Sequence, residues 1–260
     1  MNKLFVLGAP RTGTTLVGRY IASHPQAFDL GEYFGFYLAL SQVPHLMRQV
    51  PSPEKEAYLR HLVRCTADFA ETVATKAGAS FWCDQTPWNL LIAKHLATLF
   101  PDGVFVLMLR HYSGAILSLQ RSFASGYRWA GSTAAESAQL WASFYNHVSE
   151  LPAERTVVVS YDRLCAQPDA AIRALTRSLV ANLDLNSDAF KRRVFSESHA
   201  TKEGRHTIGA HATDGSVSLR PVPSIDSGAW TNQMERECRE HVSVVDQALR
   251  LRFGLGYVRP

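Results

Sequence analysis

Only four cysteines occur in the 260 residues, Cys65, Cys83, Cys165 and Cys238, and no two of them form a C-x-x-C pair. A chain of this length buries enough apolar surface to need no staples, so they read as reduced thiols and exclude a disulfide scaffold. No stretch reaches the ~18 apolar residues of a membrane-spanning helix, and the first residues run straight into a short apolar strand without the features of a secretory signal. The expectation is a soluble, cytoplasmic protein with no membrane partner. Basic runs are missing as well: the 27 Lys and Arg against 23 Asp and Glu give a formal charge of +4 but are scattered along the chain. Nothing there grips a nucleic-acid backbone, and a small anion suits the mild excess better. No carboxylate cluster suits Mg²⁺, so no metal is expected.

What is present is an alternation of strands and helices. Short apolar runs at Lys3–Leu7, Ser80–Asp84, Val104–Arg110 and Thr156–Ser160 read as strands. Helical periodicity separates them, over Pro53–Ala77, Asn89–Phe100, Thr133–Leu151, Asp169–Leu183 and Thr231–Leu251. Such a rhythm implies α/β architecture: a central parallel sheet of about five strands with helices on both faces. We expect one domain over residues 1–260. The stretch 196–230 holds Gly204, Gly209, Gly215, Gly228, Pro221 and Pro223 without sustained periodicity, and a mobile loop that touches cofactor or substrate is the expectation there.

Directly after the first strand comes Gly8-Ala9-Pro10-Arg11-Thr12-Gly13-Thr14-Thr15, opening a helix that runs to about Ser23. Backbone N–H groups of such a turn converge on one spot and the helix dipole adds positive potential, so an anion belongs there. The frame is that of a nucleotide-binding P-loop, and the three-layer P-loop fold follows from it. Thr14, however, stands where the lysine that reaches the β- and γ-phosphates belongs, and the cation is Arg11, inside the loop. That counts against ATP or GTP and favours a smaller, metal-free leaving phosphate.

The segment Gly8 to Thr15 resembles the 5′-phosphosulfate loop of the sulfotransferases that use 3′-phosphoadenosine-5′-phosphosulfate (PAPS), in which the pattern is P-[KR]-[ST]-G-T-[TS]. A second hallmark of that family is an arginine ending a strand with a serine eight residues on, and Arg110 and Ser118 reproduce it. Asp84-Gln85-Thr86-Pro87 and Ser160-Tyr161-Asp162-Arg163-Leu164 are similar to further family segments, and Pro221 to Trp230 resembles the loop that covers the nucleotide, most of all in the tyrosylprotein branch. The resemblance implies a sulfuryl transfer from PAPS to a hydroxyl of a small metabolite or natural product, leaving adenosine 3′,5′-bisphosphate (PAP). It assigns Pro10, Arg11, Thr12, Gly13, Thr14 and Thr15 to the 5′-phosphosulfate and Arg110 and Ser118 to the 3′-phosphate. Tyr161, Ser227 and Trp230 are assigned to the rest of the nucleotide. Two departures stand out: Gln85 replaces a common lysine, and His111 replaces the aspartate that usually follows the arginine.

Transfer to a hydroxyl needs in-line alignment, charge stabilisation and a base. Arg11, Thr14 and the loop amides suit the first two tasks. Glu32, in Asp29-Leu30-Gly31-Glu32-Tyr33-Phe34, matches the family's Gly-Glu base position, and Phe28, Phe34, Phe36 and Tyr37 around it can desolvate it and raise its pKa. The plainer reading of Glu32 is a first-turn residue of a short helix, favoured there by the dipole. His111, His206 and His211 are the other candidate bases. Tyr127 and Trp129 have the composition of an acceptor-pocket loop, whereas Trp141 and Tyr145 share an apolar helical stripe and read as core. Two alternatives stay open: a P-loop kinase for a small metabolite, and a non-catalytic nucleotide-binding module. A homodimer is the base-rate expectation for a soluble enzyme.

Overall fold

The structure, a computed structural model, describes residues 1–190 and 229–255. Strand β1 (Asn2–Leu7) leads into α1 (Thr14–Ala22), then β2 (Ala27–Gly31), the short α2 (Gly35–Tyr37), a π-helical segment Leu38–Gln42 and α3 (Val43–Leu46). The long α4 (Ser52–Lys76) precedes β3 (Phe81–Asp84), α5 (Ala93–Leu99), β4 (Val104–Leu109), α6 (Tyr112–Ala124) and α7 (Ala134–Tyr145). Then follow β5 (Thr156–Ser160), α8 (Tyr161–Ala166), α9 (Pro168–Leu183) and α10 (Asn232–Phe253). No helix among the described residues is long and apolar enough to cross a membrane.

The five strands form one sheet in the order β2-β3-β1-β4-β5, and every neighbouring pair is parallel. Parallel strands covered on both faces must be apolar on both, and β1 and β4 are. Successive side chains alternate between two cores. Phe5, Leu7, Trp82, Phe105 and Leu107 pack with α4, α6, α7 and α10, while Leu4, Val6, Phe81, Val106 and Met108 pack with α1 and α9. On the first face Phe5 lies at the centre of an aromatic group, with ring centroids 5.7 Å from Phe36, 5.2 Å from Trp82 and 5.5 Å from Phe105. Phe36 thereby pegs α2 to the sheet.

The architecture agrees with the sequence reading, and the fifth strand is β2, which no apolar run announced. All five of its residues are only half-buried, and its ladder to β3 shifts register between Asp29 and Gly31, leaving Leu30 as a bulge. The helix expected over Thr133–Leu151 is shorter, with Thr133 as the cap of α7 and a separate turn at Val148–Glu150. Pro87 likewise converts the start of the helix expected at Asn89 into a 3₁₀ turn over Pro87–Ile92. Trp141 and Tyr145 are core, as expected, and the Tyr145 hydroxyl donates to the Met108 carbonyl at 2.7 Å. Most of the 196–230 loop, including Ser227, lies outside the described residues.

Candidate active site

In a wholly parallel sheet all strands end on one edge, where ligands of open α/β sheets collect. Here each strand delivers a candidate residue to that edge: β1 the Gly8–Thr15 loop, β2 Glu32, β3 Asp84 and Gln85, β4 Arg110, and β5 Tyr161.

The loop after β1 is built by two residues of positive φ, Arg11 at 71° and Gly13 at 97°. The turn leads into the N-terminus of α1, where Gly13 stands at the cap position, and turns of this kind aim backbone amides at one spot. Thr12 is fully buried and its hydroxyl donates to the Ala9 carbonyl at 2.6 Å, closing the turn from inside. Pro10 is buried too, Thr14 is buried in the first turn of α1, and Thr15 points to solvent.

Arg11 Nε donates to Ser118 Oγ on α6 at 3.1 Å, and Arg110 NH1 donates to the Arg11 carbonyl at 2.9 Å. The two guanidiniums are close enough to repel. Although the Arg11 side chain reaches solvent, surrounding protein and then the Arg110 charge hold its pKa below the ordinary value; Glu32 is the weakest of its counteracting partners. Two cations facing one space with little acid between them favour an anion there. Arg110 is also seated on Tyr161, whose ring centroid is 4.6 Å from the guanidinium carbon, and its Nε is buried without a hydrogen-bond partner among the described residues. A phosphate oxygen would satisfy that Nε.

Residues 110–112 are pinned from two sides that the sequence reading missed. The His111 N–H donates to Asp162 Oδ2 at 2.6 Å, so the carboxylate expected after Arg110 arrives from α8 instead. The His111 ring bonds Ser113 Oγ at 2.8 Å and stacks on Tyr112 at 4.4 Å. His206 and His211 fall outside the described residues. On the other side the Tyr112 hydroxyl donates to Glu235 Oε1 at 2.9 Å, and Trp230 Nε1 donates to Glu235 Oε2 at 2.9 Å. Trp230 thus sits over the start of α6, edge-on to Tyr112 at 5.7 Å. Glu235 and Asp162 gave no signal because an acid on an amphipathic helix looks like surface.

Glu32 follows β2 in a turn, not in a helix. Burial raises its pKa, and the charge of Arg11 pulls it back, so the carboxylate and the loop arginine share one field. Beside it runs a line of rings: Phe34 meets Trp88 at 5.5 Å, Trp88 meets Trp129 at 5.3 Å, and Trp129 meets Tyr127 at 6.2 Å. Tyr127 in turn acts electrostatically on Arg11, so the line runs from Phe34, two residues after Glu32, to the loop cation. The rings are half-buried and Trp129 is exposed, which leaves the line open to solvent at Trp129. Trp88 is the member that sequence reasoning missed, because only the fold brings it to Trp129. Gln85, where a lysine was the family pattern, is buried and turned onto α1: a Cβ on Gly18 would run into its amide.

Comparison with known proteins agrees with the fold. A model of the sulfotransferase family matches residues 3–184. The chain is 26% identical over 268 residues to protein-tyrosine sulfotransferase 1 of Danio rerio, covering 99% of this chain and 72% of that relative. It is 25% identical over 190 residues to protein-tyrosine sulfotransferase 2 of Gallus gallus, covering 69% of this chain and 51% of that protein. Among solved structures, the sulfotransferase domain from the curacin biosynthetic pathway superposes with a TM-score of 0.54 at 17% identity, covering 91% of this chain and 96% of that one.

Proposed function

The chain belongs to the sulfotransferase family, and on that premise we propose that it moves a sulfuryl group from PAPS to the hydroxyl of a small acceptor carrying a flat ring, with Glu32 as base. The observation that carries this reading is the Arg11–Arg110–Ser118 arrangement, two guanidiniums and a hydroxyl tied together by hydrogen bonds of 3.1 and 2.9 Å at the open end of a phosphate-type loop.

The residues present fit the donor. Its chemistry is a sulfuryl group on a phosphate leaving group, with a second phosphate on the ribose. The loop amides, Arg11 and Thr14 suit the charge that accumulates on the leaving 5′-phosphate, and the Arg110 Nε, without a partner among the described residues, suits the 3′-phosphate together with Ser118. Tyr161, stacked beneath Arg110, and Trp230, held by Glu235, flank the adenosine side; Ser227 joins them on family resemblance alone. Glu32, its pKa lifted by burial, takes the acceptor's proton as the new bond forms. The open face of Phe34, Trp88, Trp129 and Tyr127 supports an acceptor with a flat apolar body, because stacking orients a ring while leaving its hydroxyl free for the base.

The test is transfer of labelled sulfuryl from PAPS to a panel that includes 2-naphthol, cyclohexanol and glucose, with ATP and Mg²⁺ as the rival donor. Transfer from PAPS with 2-naphthol ahead is expected. Phosphoryl transfer from ATP and none from PAPS would establish the kinase instead, and PAP binding without turnover of any acceptor would establish a binding module.

A further inference from the structure

The carboxyl group of Asp84 is fully buried at the end of β3, and no step of the chemistry above uses it. Its Oδ1 accepts the Thr86 N–H at 2.9 Å and its Oδ2 accepts the Asn89 side-chain amide at 2.8 Å. The Tyr33 backbone N–H faces the same carboxyl and pulls its pKa down against the larger upward push of burial, while burial and then the Asp84 charge raise the pKa of the Tyr33 phenol. Tyr33 is the residue after Glu32. On the other flank, the Gln85 N–H donates to the Gly31 carbonyl at 3.0 Å, and Gly31 is the residue before Glu32. Both chain neighbours of Glu32 therefore meet two consecutive residues, Asp84 at the end of β3 and Gln85 just after it.

The local backbone shows why such a hold is needed. The bulge at Leu30 and the positive φ of Gly31, 65°, break the strand alternation at the point where β2 leaves the sheet. A Gly-flanked turn on an edge strand has few contacts of its own to hold a side chain steady. Phe36 pegs the far end of the segment in the core, which leaves Glu32 and its peptide groups to be fixed from β3.

We propose that Asp84 is a positioning residue for Glu32: with the Gln85 amide it clamps the turn that carries the base and aims the Glu32 carboxylate along the field of Arg11. The role rests on the sulfotransferase reading only in naming Glu32 as base; the clamp itself is a statement about the turn. Replacement by asparagine is the informative change. The isosteric amide keeps the volume, and Asn89, whose Oδ1 is buried without a partner among the described residues, can rotate its amide to accept from the new donor. Above pH about 7, where Asp84 is ionised, the Tyr33 N–H then faces a neutral carbonyl or an amide donor where it had a carboxylate, so the hold weakens without a cavity.

The experiment compares the wild type with Asp84→Asn, Glu32→Gln and the double variant. Amide hydrogen exchange of the peptide spanning 29–36 is read with and without PAP, alongside PAP affinity and transfer from PAPS to 2-naphthol. Exchange at 29–36 is expected to speed up about tenfold in Asp84→Asn while the 2–22 segment and PAP affinity stay within about twofold. The transfer rate is expected to fall about tenfold by this change in the wild-type background and less than about twofold in Glu32→Gln, because the clamp acts through the base. Unchanged exchange at 29–36, or an equal loss of rate in both backgrounds, overturns the proposal. Should wild-type protein bind no PAP, the sulfotransferase reading fails while the exchange result still decides the clamp. If Asp84→Asn proves unstable, Asn89→Ala, which removes one donor to the same carboxylate, is expected to leave exchange at 29–36 slow, and fast exchange there would assign the effect to general loosening.

Discussion

A Cβ placed on Gly13 would lie 2.5 Å from Cδ2 of Tyr161, so the phosphate loop after β1 and the first residue of α8 close on each other with no room to spare. Gly13 also has φ of 97°, a conformation that L side chains rarely adopt. Gly13→Ala is thus expected to lower stability by about 1 to 3 kcal/mol in denaturant unfolding and to weaken PAP binding. In a Tyr161→Ala background the collision is gone but the backbone strain stays. Measured against Tyr161→Ala alone, Gly13→Ala should therefore cost less stability than in the wild type, but not nothing. No cost at all in that background would mean that the positive φ costs nothing, and the collision alone would explain the loss.

Arg110 bonds the Arg11 carbonyl at 2.9 Å and lies on the Tyr161 ring, while its Nε has no hydrogen-bond partner among the described residues. Lysine keeps the charge but cannot bond, stack and fork at once. Arg110→Lys is expected to weaken PAP at least about tenfold, with adenosine 5′-phosphate changed less than about twofold, since the lost group serves the 3′-phosphate. Calorimetric titration of both nucleotides decides it. Equal losses for the two would place Arg110 on the 5′ side or in the scaffold.

How much of this was readable beforehand follows from what each element uses as its signal. The loop was legible because Gly8 and Gly13 bracket a short segment between an apolar run and a helix, and Arg110 because it ends one of the most apolar runs in the chain. Strand β2 was illegible: an edge strand with half-buried residues and a bulge has neither a continuous apolar run nor alternation. For that reason the sequence supplied Glu32 through family resemblance, with a helical first turn as its rival, while the strand-end position emerged only from the fold. Asp84 and Trp88 were hidden for a different reason. Their roles depend on Tyr33 and Trp129, far along the chain, and no local pattern encodes such a meeting.

Burial pushes the Asp84 carboxyl up to about 7, against the smaller downward pull of the Thr86, Asn89 and Tyr33 donors. An unfolded aspartate titrates near ~3.9. Between the two values the folded protein keeps a proton that the unfolded chain has released, so this group's contribution is fully present below pH ~4 and lost as pH rises through about 7. The loss amounts to about 4 kcal/mol on an order-of-magnitude scale, with no further change above. Asp84→Asn abolishes the titration. Its unfolding free energy relative to wild type should therefore shift in its favour by about 3 kcal/mol between pH 5 and pH 8, the part of the loss that falls in that window, measured in urea. A difference that stays constant across the range would show that Asp84 titrates like an exposed carboxyl.

The pH dependence of transfer gives the sharpest test of the base. Glu32 must be ionised to accept a proton, and burial raises its pKa while Arg11 lowers it. The rate should accordingly rise with pH along a limb centred above the ordinary carboxylate range and flatten once Glu32 is ionised. Glu32→Gln is expected to lower kcat by about 10²- to 10⁴-fold and to erase the limb, with PAP affinity nearly unchanged. Arg11→Ala should slow the reaction too, yet its remaining activity should show the limb moved to still higher pH, because the cation that favours the ionised form is gone. A residual slope common to all three proteins would belong to the acceptor's own ionisation, and it can be identified by repeating the profile with an alkanol that does not titrate in the range. If Glu32→Gln keeps both rate and limb, the proton goes elsewhere, and the turn after β2 is a binding element and not the seat of the base.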